Sequence, residues 1–159
     1  MTKREREVTD LTAIQEILDR AKVLHLGLVD DGMPYIVPMN YGYTMEDGVL
    51  TLYLHGALKG YKMDVIAKNP VCCFELESDV NPFEGNVACK YGTSYSSVMG
   101  RGTIEVLTDP AEKMQALTIL MKTQTGKDFE FTEKLVSVVS CMKITVSEYT
   151  AKHRPLPQV

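Results

Sequence analysis

The chain has 159 residues, enough for one compact domain with its own core and short for two. Apolar residues make up 45% and charged residues 24%, so disorder is expected only at the termini. Seventeen basic and 21 acidic residues leave a formal net charge of -4, which gives no broad pull toward nucleic acid or anionic lipid. Residues 1–7 carry no apolar stretch after their basic residues, and no run approaches the ~20 apolar residues of a membrane span. A single cytoplasmic domain over 1–159, with no nucleic-acid or membrane partner, is the expectation.

In chain order, Thr12-Ala13-Ile14-Gln15 reads as a capping box ahead of a first helix, with Ile14, Ile17, Leu18 and Ala21 at helical spacing. The period then drops to two. Residues 23–29 alternate leucines, Asp30-Asp31-Gly32 makes a turn, and a second strand is expected from Tyr35 to Thr44. Glu46-Asp47-Gly48 turns the chain into a third strand, Val49 to His55. A helix from about Ala57 to Lys68 follows, closed by Asn69-Pro70. Val71 to Glu77 is a fourth strand, and residues 78–91 read as a loop leading into extended chain. Ser97 to Leu107 is a strong fifth strand, in which Gly100 and Gly102 point to sharp coiling or close backbone approach. Asp109-Pro110-Ala111-Glu112 starts a helix with the stripe Met114, Leu117, Leu120 and Met121, and Gly126 stops it. A short helix near Thr132 to Val139 precedes a last strand, Met142 to Tyr149, and the tail from Lys152 reads as irregular. Six strands joined mostly by tight turns predict a mainly β, six-stranded antiparallel barrel with peripheral helices.

The four cysteines form no CxxC pair, and the three histidines are scattered, so no metal site is expected from them. Cys72 and Cys73 are adjacent on a strand and point to opposite faces. His25 alternates away from its leucines and is expected to be structural or solvent-facing. Nine methionines at these spacings read as core filler.

The segment with chemical promise is His55-Gly56-Ala57-Leu58-Lys59-Gly60-Tyr61-Lys62, between a strand end and a helix start. Free N–H groups and the helix dipole favour an anion there. Gly56 and Gly60 admit close backbone approach, and Lys59 and Lys62 stand three apart. A solvated lysine pair at a helix start has the same pattern. No G-x-G-x-x-G follows the first strand and no P-loop is present, so a phosphate-bearing ligand must be held by the barrel.

Beyond that physics, the chain resembles the FMN-binding split-barrel superfamily of pyridoxamine phosphate oxidase, and within it the nitroimidazole-resistance (nitroimidazole reductase) branch. The resemblance rests on Asp31-Gly32-Met33-Pro34-Tyr35-Ile36-Val37-Pro38-Met39-Asn40-Tyr41-Gly42-Tyr43, Leu52-Tyr53-Leu54-His55-Gly56-Ala57, Gly60-Tyr61-Lys62, Asn69-Pro70-Val71-Cys72-Cys73-Phe74 and Tyr95-Ser96-Ser97-Val98-Met99-Gly100-Arg101-Gly102. It implies a split β-barrel homodimer with FMN at the subunit interface. Tyr35, Ile36, Val37, Pro38, Met39 and Asn40 would lie along the isoalloxazine edge. His55, Gly56 and Ala57 would sit near the ring and ribityl chain, and Lys59, Gly60, Tyr61 and Lys62 near the phosphate, with Lys62 gripping it. Tyr95, Ser96 and Ser97 would reach the cofactor from the partner subunit. Two departures stand out. Many relatives have Arg where this chain has Tyr61, and a phenol lacks the planar fork of Arg, so either Lys59 or Arg101 helps hold the phosphate or its binding is weaker. The oxidase proper ends in a basic, tryptophan-containing segment, whereas this chain has no Trp and ends in Lys152-His153-Arg154-Pro155, so vitamin B6 oxidation is not expected. The expected activity is an FMN-dependent reduction of a small flat acceptor such as a nitroaromatic, with His55 as catalytic candidate. A non-catalytic flavin sensor, or a barrel holding haem or a deazaflavin, are the alternatives.

Overall fold

The computed structural model describes residues 3–157. A 3-10 turn at Arg4–Arg6 and the short strand β1 (Glu7–Val8) lead into helix α1 (Leu11–Arg20). The cap of α1 is Asp10, whose carboxylate accepts from Ala13 N at 2.8 Å; Thr12 lies inside the first turn and does not cap it. Strands β2 (Leu24–Asp30) and β3 (Met33–Met39) turn at Asp31-Gly32, with φ of 48° and 86°. Strands β4 (Tyr41–Glu46) and β5 (Val49–Gly56) turn at Asp47-Gly48, with φ of 49° and 82°. Two successive left-handed residues make the tight turn whose twist matches that of paired strands.

The stretch expected as one strand from Tyr35 to Thr44 is two strands, broken at Asn40. The reason lies in the sheet order, β3-β2-β6-β7-β8-β5-β4, in which every neighbouring pair is antiparallel. Strands β3 and β4 are therefore its two edges, yet one residue joins them. A link that short spans roughly 7 Å. The sheet must curl until its edges meet at Asn40, and past that corner they do not pair. This is a split β-barrel, held at a corner and open along a seam. Asn40 fastens the corner by donating from Nδ2 to Lys22 O at 3.0 Å, while Gln124 Nε2 donates to Tyr41 O at 2.7 Å.

The three long strands are β6 (Val71–Phe83), β7 (Gly92–Leu107) and β8 (Ser140–Arg154). The expected loop over 78–91 is strand as far as Phe83, with a register shift between Ser78 and Asn81, then a 3-10 turn at Ala88–Lys90. The tail is also more ordered than expected: Lys152, His153 and Arg154 pair with Ser97, Ser96 and Tyr95, and Lys152 pairs with Glu7 of β1 on its other side. All six expected strands are present; the break at Asn40 and the addition of β1 bring the sheet to eight.

Helix α2 (Tyr61–Lys68) begins four residues later than the expected Ala57, at Gly60 with φ 134°. Helix α3 (Pro110–Thr125) is capped by Asp109, which accepts from Ala111 N and Glu112 N, and ends at left-handed Gly126. Its buried face is Lys113, Ala116, Leu117 and Leu120, so Met114 and Met121 only flank it. Helix α4 (Glu133–Val136) is capped by Thr132.

The core fills the barrel with alternate residues of each strand: Leu24, Leu26 and Leu28, then Leu50, Leu52 and Leu54, then Met142 and Ile144. Each such side chain contributes roughly 1.5–3 kcal/mol by leaving water. Ile14, Ile17 and Leu18 of α1 plug one end, and the buried Tyr41 hydroxyl donates to Leu18 O at 2.6 Å. Of the coiling or close backbone approach expected at Gly100 and Gly102, the close approach is present: a Cβ at Gly100 would lie 2.7 Å from Glu148 O, and one at Gly102 would overlap Thr145 O. Among the described residues no helix is long and apolar enough to cross a membrane.

Candidate functional site

The chain emerges from β5 at His55 and Gly56, crosses the exposed loop 57–60 and enters α2, which returns Lys62 to the strand end. Lys62 Nζ packs so close to Gly56 that a Cβ there would lie 2.9 Å from it. Its one polar contact among the described residues is Met39 Sδ at 3.5 Å, a weak acceptor. A half-buried ammonium without an anion is costly, and burial lowers its pKa accordingly. Beside it, His55 Nδ1 is buried with no hydrogen-bond partner. Burial first, and the Lys62 charge second, hold the His55 pKa below its ordinary value, so the ring is neutral near pH 7. At the start of α2 the N–H groups of Tyr61 and Lys62 make no backbone hydrogen bond among the described residues, since Met63 N and Asp64 N take Gly60 O. Cation, helix N-terminus, glycine and orphaned imidazole converge here, a donor set that fits a phosphate.

Along the seam runs the free edge of β3. The ladder with β2 is unbroken from Met33 to Met39, and Pro34 and Pro38 cannot donate to it. By strand parity, residues 34, 36 and 38 therefore turn their backbone groups away from β2. The two prolines have no N–H, which leaves Ile36 N–H as the donor on this stretch of open edge, beside the Pro34, Ile36 and Pro38 carbonyls. Tyr35, Val37 and Met39 face inward and pack on the core, while Ile36 is exposed.

Other predicted residues lie elsewhere. Lys59 is exposed on the loop before α2, so it does not share a helix face with Lys62. The Tyr61 hydroxyl donates to Asp30 Oδ2 at 2.7 Å and its ring meets Tyr35 edge-on at 4.9 Å. Lys68 Nζ takes Asp30 Oδ1 at 3.0 Å. The Tyr61 bond and then Lys68 keep the Asp30 carboxyl below its usual pKa, and the same contact raises that of Tyr61. Tyr61 is thus a latch between α2 and the first hairpin. Arg101 does not serve the corner of its own chain: it pairs with Glu148 at 2.8 Å, eight residues along β8 from Ser140, the partner of Gly56.

Tyr95, Ser96 and Ser97 gather at the far end of β7. Ser96 Oγ bonds His153 Nδ1 at 2.9 Å, and Tyr95 lines a cleft of about 240 Å³ with Asp79, Asn81, His153 and Arg154. On β8, His153 stands twelve residues from Cys141, the partner of His55. One protomer does not bring the two groups together. The sequence reading passed over Arg154, whose guanidinium lies 4.8 Å over the Phe83 ring, because its stretch read as an irregular tail. A second cleft, about 780 Å³ between α1, β4 and the end of α3, contains none of the predicted residues. There Lys22 donates to Asp19 O and Thr123 O, and Tyr43 donates to Asp19.

Fold and corner together define a split-barrel protein with a half-buried lysine beside a buried imidazole at its seam. Residues 10–153 match the pyridoxamine 5'-phosphate oxidase family, and the chain belongs to that family, whose split-barrel fold binds flavins. It is similar to a candidate 5-nitroimidazole antibiotic resistance protein from Bacteroides thetaiotaomicron, at 32% identity and TM-score 0.77, covering 92% of this chain and 85% of that one. Two further structures share the fold at 18% identity and TM-score 0.78: the flavocytochrome Anf3 from Azotobacter vinelandii (100% and 74% covered) and the FAD and haem binding protein from Mycobacterium smegmatis (97% and 76%). No curated protein matches the chain.

Proposed function

We propose that the chain is an FMN-dependent oxidoreductase acting as a homodimer. The observation that carries this reading is Lys62: a half-buried ammonium, seated on Gly56 at a helix start, whose one polar contact among the described residues is a thioether. A phosphomonoester dianion completes that corner, taking Lys62 Nζ and the free N–H groups of Tyr61 and Lys62. The flavin ring then follows the open edge of β3, where Ile36 N–H is the donor for a ring acceptor. His55, neutral and with Nδ1 unsatisfied, holds or accepts a proton at that atom beside the ring. Tyr95, Ser96 and Ser97 close the site from a second chain, because their own chain keeps them at the opposite end of β8. When bound, FMN carries two electrons from a nicotinamide or other donor to a small flat acceptor, a nitroaromatic being favoured by the similarity to the Bacteroides thetaiotaomicron protein. Four unpaired cysteines suit a reducing compartment, the cytoplasm.

The test is the absorption spectrum of purified protein with mass spectrometry of the released ligand. Flavin bands and the mass of FMN are expected, with NADH-dependent bleaching and turnover of a nitroimidazole. Lys62→Ala should weaken FMN binding by about 1.5–3 kcal/mol, the range for a hydrogen bond to a charged group. A Soret band, or colourless protein that takes up no added FMN, refutes the reading.

A further inference from the structure

On the outer face of the β2–β6 pair, His25 stands opposite Glu75, and Glu77 follows two residues later on the same side. Strand alternation puts this face opposite the one on which Met39 meets Lys62, so the cluster is outside the corner described above. His25 Nδ1 lies 3.2 Å from Glu75 Oε2 and 3.8 Å from Glu77 Oε2. One nitrogen and two carboxylate oxygens thus converge, all within 4.8 Å of one another. The three side chains are 41%, 32% and 42% exposed, open enough to admit an ion and rooted in paired strands that fix their spacing. Among the described residues no Lys or Arg comes within ion-pair distance of either glutamate. Two like charges side by side are unfavourable unless a cation joins them.

We propose that His25, Glu75 and Glu77 form a binding site for one divalent transition-metal ion, zinc-like in its preference. The spacing supports this. Donors at about 2.0–2.2 Å from a tetrahedral ion stand roughly 3.3–3.6 Å from each other, and the two nitrogen–oxygen distances bracket that range. An imidazole with two carboxylates suits Zn²⁺ or Co²⁺ better than Ca²⁺ or Mg²⁺, which take oxygen donors throughout. Three protein ligands leave at least one position for water.

The full chain tests this after EDTA treatment and buffer exchange. Cys73 and Cys89 are replaced by Ser, because both thiols are exposed and Cys73 Sγ leans over Gly27 beside the cluster. Calorimetric titration with Zn²⁺ is expected to give one site per chain, and Co²⁺ to show the visible absorption of a low-coordinate ion. E77Q and H25Q should each weaken Zn²⁺ by ~10-fold or more, since even an outer partner of a metal ligand is worth about 10–100-fold. Both positions are part-exposed, and circular dichroism verifies that the variants fold. K62A should bind Zn²⁺ as the parent does, which separates this site from the flavin corner. No saturable binding to the protein lacking Cys73 and Cys89, or equal affinity in E77Q, H25Q and parent, overturns the assignment.

Discussion

Gly56→Ala asks the most of the proposed corner. A Cβ at position 56 would lie 2.9 Å from Lys62 Nζ, 3.6 Å from Lys62 Cε and 3.8 Å from Met142 Cε. Only the first distance is too short, and the atom in question ends a flexible side chain. The backbone there is ordinary strand, so alanine fits without strain and even gains roughly 0.5–1 kcal/mol over glycine in a strand. The fold should stay intact while the ammonium is pushed off its seat. Losing one hydrogen bond to a charged group costs about 1.5–3 kcal/mol. At about 1.4 kcal/mol per decade, that is a roughly 10- to 150-fold rise in the FMN dissociation constant. The assay is titration of apoprotein with FMN followed by quenching of flavin fluorescence, beside a thermal melt. The double variant with K62A separates causes: if the methyl acts through Lys62, it adds little to K62A alone. Wild-type FMN affinity in G56A, or a melting temperature that collapses with it, would refute the reasoning.

Gly102→Ala should do the reverse, costing about 1–3 kcal/mol or more in urea denaturation, because its methyl would strike the Thr145 carbonyl, a backbone atom that cannot step aside. Tyr61→Phe should leave FMN affinity within about twofold, since the hydroxyl is spent on Asp30; a large loss would mean that it turns to the phosphate instead. The Glu75 carboxyl is raised to about 7 by burial and Glu77, so the folded chain binds an extra proton between the ordinary glutamate value of 4.5 and that pH. Its contribution is therefore fully present below the lower value and is lost as pH rises through the upper one. In EDTA, E75Q should gain on the parent by on the order of 1–2 kcal/mol between pH ~5 and ~8, a figure discounted for the carboxyl's part exposure. A constant difference across that window would show that Glu75 titrates normally.

The sequence by itself determined the pieces whose cause is local. Asp31-Gly32 and Asp47-Gly48 make their turns because few residues accept two left-handed conformations in a row. Asp109-Pro110 starts α3 and Gly126 ends it for equally local reasons, and alternation alone sends Cys72 inward and Cys73 outward. His55, Gly56 and Lys62 stood out because eight consecutive positions hold all three. What only the tertiary structure decided depends on partners far along the chain. Nothing in Tyr35-to-Thr44 says that it must break at Asn40; the break exists because the two sheet edges converge there. Nothing local to Tyr61 says where its hydroxyl goes; folding sets Asp30, 31 residues away, against it. His25 read as a structural or solvent-facing ring because Glu75 sits 50 positions further on, and the register of β2 on β6 is what makes them neighbours. Turns and caps follow from conformational preferences of a few adjacent residues, whereas strand pairing follows from how the whole apolar set can be buried at once.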